Sequence, residues 1–123
     1  MLSNLAAKKR AYWKGHRSEW LAALYLRCKG YEILKTRFKT PVGEIDLLAR
    51  RGKTLIAVEV KSRASLEKAL FSITPRQQRR IERALLYYLC RNRNPWSLRF
   101  DVILIAPWTW PYHIKGAWRE GER

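Results

Sequence analysis

Two apolar arms separated by Arg51-Gly52-Lys53 constrain this chain more than any other feature. Residues 44–49 and 54–61 are rich in Ile, Leu and Val, and the glycine-containing break between them is turn chemistry, so the stretch reads as a β-hairpin. With Gly52-Lys53 as a two-residue loop that opens on glycine, a type II′ turn joins the arms. Antiparallel pairing then sets Arg51 against Thr54, Asp46 against Glu59 and Glu44 against Lys61. Alternation with period two gathers Glu44, Asp46, Glu59 and Lys61 on one face. Directly opposed side chains stand about 4.5–5.5 Å apart at Cβ, where like charges repel, so Asp46 and Glu59 need something cationic to hold them together. Hard oxygen donors suit Mg²⁺ or Mn²⁺, and Mg²⁺ typically takes one or two carboxylates, with waters and phosphate oxygens completing its shell. Lys61 points into the same space, where an ammonium can orient or deprotonate an attacking water or stabilise a phosphate that is gaining charge. The plainer reading of the same four residues is a solvated hairpin face on which Lys61 neutralises Glu44.

Acids are scarce elsewhere, which sharpens the observation. The chain carries 26 Lys and Arg against 10 Asp and Glu, a net charge of +16, so an acidic patch on a hairpin is not a random scatter of surface charge. A basic balance of this size calls for a polyanionic partner, nucleic acid before an anionic membrane. No apolar run approaches the roughly 18 residues that a membrane span requires. The short run from Leu2 to Ala7, followed by Lys8, Lys9 and Arg10, is not a secretion signal, and the expected location is the cytoplasm. A length of 123 residues allows one domain with a real core and little more.

Asp46 followed by Glu59-Val60-Lys61 resembles the D…(D/E)-x-K signature of the PD-(D/E)XK nucleases, the superfamily of restriction endonucleases and Holliday-junction resolvases. More narrowly, GEIDLLA at 43–49 together with VEVKSR at 58–63 is similar to the YraN-like family of small bacterial predicted endonucleases. The likeness extends to Glu19, to Arg99-Phe100-Asp101-Val102 and to His113-Ile114-Lys115, and so covers nearly the whole chain. It implies a restriction-endonuclease-like fold and a deoxyribonuclease dependent on Mg²⁺ or Mn²⁺, with Glu19, Asp46, Glu59 and Lys61 as its catalytic residues. Glu19 in the first turn of a helix is by itself a carboxylate favoured by the helix dipole. The resemblance of residues 15–19 to a Gly-x-x-(small)-Glu pattern implies instead that Glu19 joins Asp46 and Glu59 at the metal. Glu44, Gln77 and Gln78 are candidates for catalytic support; relatives usually carry a lysine near Gln77, and this chain departs from them there.

The remaining segments frame that hairpin. Residues 16–29 read as a helix with a stripe of Trp20, Leu21, Leu24, Tyr25 and Cys28, widened by Ala22, Ala23 and Leu26 into a broad apolar surface covered by the sheet, and stopped by Gly30. Residues 31–39 read as a strand with Lys35, Arg37 and Lys39 outward, and 62–74 as a loop over substrate. Thr74-Pro75 opens a strong helix that buries Ile81, Ala84, Leu85, Tyr88 and Leu89. Its opposite face offers Arg76, Arg79, Arg80 and Arg83 to phosphates, joined as candidate nucleic-acid contacts by Arg63 and by Lys8, Lys9 and Arg10 of a basic arm over 1–14. Residues 98–105 read as a strand in which Asp101 has a structural role, and the aromatic segment after it packs over the sheet edge. Cys28 and Cys90 read as buried free thiols.

The expectation is one α/β domain over 15–123, a mixed sheet of four or five strands flanked by helices. Its expected activity is hydrolysis of DNA phosphodiesters in repair or recombination. Branched, flap and single-stranded substrates are all open, and a homodimer is compatible with cutting two strands. The alternative is a nucleic-acid-binding module without turnover on the same fold.

Overall fold

The computed structural model describes residues 18–62, 65–106 and 110–121. Helix α1 is helical over described residues 18–28, and Gly30 follows it with a φ of 89°, the left-handed conformation that lets a helix end on glycine. Strands β1 (Glu32–Thr40), β2 (Gly43–Arg51) and β3 (Thr54–Ser62) form an antiparallel meander. Helix α2 (Leu66–Phe71) and the long helix α3 (Pro75–Arg91) then return the chain to β4 (Ser97–Ile105), which runs parallel to β3. Strand β5 (Tyr112–Trp118) closes the mixed sheet antiparallel to β4, in the order β1-β2-β3-β4-β5. The β2–β3 turn has the expected chemistry, because Gly52 has a φ of 59° while Lys53 stays in the negative region.

Each face of the sheet carries its own core. Under α3, Ile81, Ala84 and Leu85 meet Leu48, Leu55, Ala57, Phe100 and Val102. Under α1, Ala22, Ala23 and Leu26 meet Leu47, Ala49, Ile56, Val58 and Ile103. The central strands are therefore buried on both sides, which explains their nearly continuous apolar runs. Thr74 caps α3, its hydroxyl accepting the Gln77 N–H at 3.2 Å, and Pro75 occupies the first turn as expected.

Three expectations change. The buried face of α1 is Ala22, Ala23 and Leu26 rather than the larger stripe; Trp20 and Leu24 are exposed. The two alanines and Leu26 meet the sheet, Leu21 and Tyr25 are half-buried, and Trp20 and Leu24 turn out to solvent. The thiols of Cys28 and Cys90 are also exposed, Cys28 at the end of α1 and Cys90 off the buried stripe of α3. The expected loop over 62–74 contains α2, a short helix that periodicity over so few residues could not announce. Among the described residues, no helix is long and apolar enough to cross a membrane.

Gly43, at the start of β2, shows why α3 lies where it does. A Cβ at this position would fall on the backbone carbonyl oxygen of Arg80, so only glycine allows the helix to rest on the strand here. This close approach fixes the first turns of α3 beside the open end of the hairpin.

Candidate active site

The hairpin register begins as expected at Arg51↔Thr54 and continues to Leu47↔Val58. There the pairing changes. Ile45 belongs to the core beneath α3 and Leu47 to the core beneath α1, although strict alternation would place both on one face. The strand turns over at the residue between them. Asp46 is thereby aimed toward β3, and its Oδ2 accepts the Val60 N–H at 2.9 Å, a side-chain oxygen taking the place of a ladder carbonyl.

Glu59 comes from the adjoining stretch of β3, its side chain on the α3 side together with Leu55 and Ala57. It is 7% exposed. The Gln77 amide Nε2 donates to its Oε1 at 2.8 Å, and Lys61 Nζ lies 3.3 Å from the same oxygen. Lys61 Nζ also approaches Gln77 Oε1 at 3.5 Å, the outer limit of a hydrogen bond. The first turn of α3 thus grips both members of the Glu59–Lys61 pair through one amide. Gln78 takes no part; its Oε1 is buried without a partner.

Two buried carboxyls side by side cannot both ionise cheaply. Burial, then the nearby charge of Asp46, pushes the Glu59 carboxyl up to about 8, with Lys61 opposing. Burial also raises Asp46; the Val60 N–H opposes this and the charge of Glu19 adds to it. With Glu59 pushed up to about 8, the pair carries one proton and one negative charge at neutral pH. A divalent cation, which can balance two carboxylates at once, could replace that proton.

Asp46 opens on a cavity of about 190 Å³ lined by Glu19, Arg37, Lys39, Glu44 and Ile45. Arg37 Nε donates to Glu19 Oε2 at 2.6 Å, and Lys39 stands opposite Glu44 in the β1–β2 register. Glu44 therefore faces Lys39 rather than Lys61, because the hairpin pairing does not continue to it. Arg37 and Lys39 are exposed, as expected of outward charges, and they also line this cavity. A register shift between Ile33 and Lys35, and a φ of 50° at Arg37, re-aim this end of β1 toward the acids. The available signal was charge pairing across the Pro41-Val42 turn, which sets Lys39 against Glu44.

Among the described residues, no group of three or more His, Cys, Asp or Glu side chains lies close enough to hold a metal. Asp46 and Glu59 do fit a hard divalent cation: they are two buried carboxyls that each disfavour the other's charge, and Mg²⁺ often takes no more than two carboxylates from a protein. Glu19 lies near enough to Asp46 to affect its charge, but is bound to Arg37. Arg76, Arg79, Arg80 and Arg83 are distributed along α3, the helix that carries Gln77, on the side away from its buried stripe. Arg63, Lys8, Lys9 and Arg10 lie outside the described residues.

A second polar cluster lies on the α1 side of the sheet. Asp101 is fully buried and accepts from Arg99 (Nη2 2.8 Å, Nε 2.9 Å) and from the Gly116 N–H at 3.0 Å, while His113 Nε2 lies 2.7 Å away. Burial alone would raise the Asp101 carboxyl, but His113, Arg99 and the Gly116 amide together hold it below the usual range. Arg99 continues to the Tyr31 hydroxyl at 2.7 Å. The cluster ties β4, β5 and the residue before β1 together, the structural role expected of Asp101.

Residues 18–105 match the profile described as Uncharacterised protein family UPF0102. A UPF0102 protein of Chelativorans sp. (strain BNC1) is 50% identical over 111 residues, covering 89% of this chain and 90% of that protein. Another, from Parvibaculum lavamentivorans, is 50% identical over 118 residues, covering 94% of this chain and 89% of its own length. A third, from Brucella suis, is 46% identical over 123 residues and 98% of both chains.

Proposed function

This chain belongs to the UPF0102 family, and we propose that it is a metal-dependent nuclease of the PD-(D/E)XK type that hydrolyses phosphodiester bonds in DNA in the cytoplasm. The observation that carries this reading is the Asp46–Glu59 pair. Two buried carboxyls are held at the point where β2 and β3 part, Asp46 by the Val60 N–H and Glu59 by Gln77 and Lys61, and each disfavours the other's charge. A purely structural pair would gain from replacement by apolar or neutral residues, since buried ionisable groups are costly unless they do chemistry.

Asp46 and Glu59 would hold Mg²⁺ or Mn²⁺, which when bound supplies charge stabilisation at a phosphoryl oxygen. Lys61 Nζ, held beside Glu59 and Gln77, would position the attacking water and stabilise charge gathering on the phosphate. Gln77 keeps Glu59 and Lys61 in register, because one amide donates to the first and accepts from the second. The arginines of α3 supply sequence-independent contacts to the DNA backbone.

One observation favours the rival reading, a nucleic-acid-binding module without turnover: Glu19, the third expected ligand, is paired with Arg37. A labelled panel of single-stranded, duplex, flap and four-way-junction DNA, incubated with Mn²⁺ or Mg²⁺, separates the two. Cleavage by wild type that disappears in Asp46→Ala and Lys61→Ala while binding persists supports the nuclease. Binding without cleavage by wild type supports the module.

A further inference from the structure

Arg37 combines three features found together nowhere else among the described residues. It is the one non-glycine residue there with a positive φ, 50°, a conformation that L side chains adopt only when their surroundings require it. Its Nε donates to Glu19 Oε2 at 2.6 Å. Both side chains line the cavity onto which Asp46 opens. β1 therefore bends out of its regular course to bring a guanidinium to a carboxylate at the mouth of the acidic pair.

We infer that Arg37 is a positioning residue with two alternative partners: it holds Glu19 while no cation is bound, and passes to a backbone phosphate of the bound nucleic acid when Glu19 turns to the cation. This rests on the nuclease reading above. The chemistry suits both partners, because a guanidinium matches carboxylate and phosphate oxygens equally well in geometry, and here it is 38% exposed, within reach of solvent and substrate. Lys39, on the same strand and cavity wall, supplies a second cation once Arg37 has moved. The balance of charge supports the exchange. With Glu19 neutralised by Arg37, the cavity mouth does not add a full third negative charge to Asp46 and Glu59. When phosphate takes Arg37, the Glu19 carboxylate loses its guanidinium partner at the moment a divalent cation can use it. Cation and nucleic acid then assist each other, and the coupling must be reciprocal.

The test is calorimetric titration of Mn²⁺ into wild type, Arg37→Gly, Arg37→Lys and the double variant Arg37→Gly/Glu19→Gln. Glycine tolerates the positive φ, so Arg37→Gly removes the guanidinium without adding strain. Arg37→Gly is expected to bind Mn²⁺ about 3- to 10-fold more tightly than wild type, Arg37→Lys to remain near wild type, and the double variant to lose the gain. In parallel, Arg37→Gly should weaken binding of a phosphorothioate oligonucleotide more with Mn²⁺ than with EDTA. Unchanged or weaker Mn²⁺ binding in Arg37→Gly overturns the inference, as does a gain that survives Glu19→Gln, which would be a general charge effect. An equal fall in oligonucleotide affinity with and without Mn²⁺ also overturns it. If wild type itself binds no Mn²⁺, the nuclease reading falls and takes this inference with it; wild-type binding with a failed Arg37 series removes the inference alone.

Discussion

Replacing Glu59 with glutamine should make the metal-free protein more stable at pH 8 and leave it nearly unchanged at pH 4.5. Glu59 titrates near 4.5 in an unfolded chain and at about 8 in the fold, where burial and Asp46 disfavour its charge. Between those values the folded state binds the extra proton. Stability therefore falls as pH rises through this window, by about 1.4 kcal/mol per pH unit where the difference is one full proton. The whole shift corresponds to at most about 4–5 kcal/mol. Local relaxation and water entry at a site open to a cavity should leave about 1–3 kcal/mol. Glutamine keeps an oxygen for the Gln77 amide and an N–H₂ that can donate to Asp46, as the protonated carboxyl does, but never has to ionise. Urea unfolding in EDTA across pH 4.5–8.5 measures the difference. Glu59→Gln should gain about 1–3 kcal/mol over wild type at pH 8, shrinking toward zero at pH 4.5. Adding Mn²⁺ at 100 times its Kd should restore about 2.7 kcal/mol to wild type at pH 8 and little to the variant. A difference that does not vary with pH, or a wild type that is the more stable at pH 8 without metal, refutes the reasoning.

Gln77→Ala should lower cleavage about 10- to 100-fold, the usual effect of removing a group that orients a metal ligand, while Gln78→Ala, which does not reach Glu59 or Lys61, should leave it near wild type. Steady-state cleavage rates of the two single variants decide this. Gly43→Ala should cost about 1–3 kcal/mol in urea unfolding and lower cleavage as well, because the added methyl meets the Arg80 backbone and moves the helix that carries Gln77. Arg79→Ala with Arg83→Ala should weaken duplex and single-stranded DNA alike. The salt dependence of binding should fall by about one unit for each phosphate no longer engaged, read from affinities over a range of NaCl.

Much of this was legible in the sequence where local rules act alone. The II′ turn at Gly52-Lys53 set the register from Arg51↔Thr54 to Leu47↔Val58, and Thr74-Pro75 announced α3 with its buried Ile81, Ala84 and Leu85. The rest depended on partners distant in the chain. No local pattern says that β2 turns over at Asp46, since that follows from Ile45 and Leu47 serving opposite cores. The same limit left Gln77 and Gln78 undivided as candidates for catalytic support; that Gln77 is the one to hold Glu59 and Lys61 becomes visible only when Gly43 admits the Arg80 backbone and brings the start of α3 to Glu59. Arg37 and Lys39 are the outward charges that alternation suggests, but nothing in the composition says that they border the same cavity as Asp46. On α1 the broad apolar surface was legible but not which part of it is covered: Ala22, Ala23 and Leu26, read as its widening, are buried, while Trp20 and Leu24 are exposed.

The most direct test of the singly protonated carboxyl pair is the number of protons released when Mn²⁺ binds at pH 7, from calorimetry in two buffers of different ionisation enthalpy. With Glu59 pushed up to about 8, most molecules carry the proton at pH 7, and a cation held between two carboxylates must expel it. The account predicts one Mn²⁺ bound with close to one proton released, and both abolished in Asp46→Asn. Absence of Mn²⁺ binding, or binding that releases no proton and survives Asp46→Asn, would contradict it.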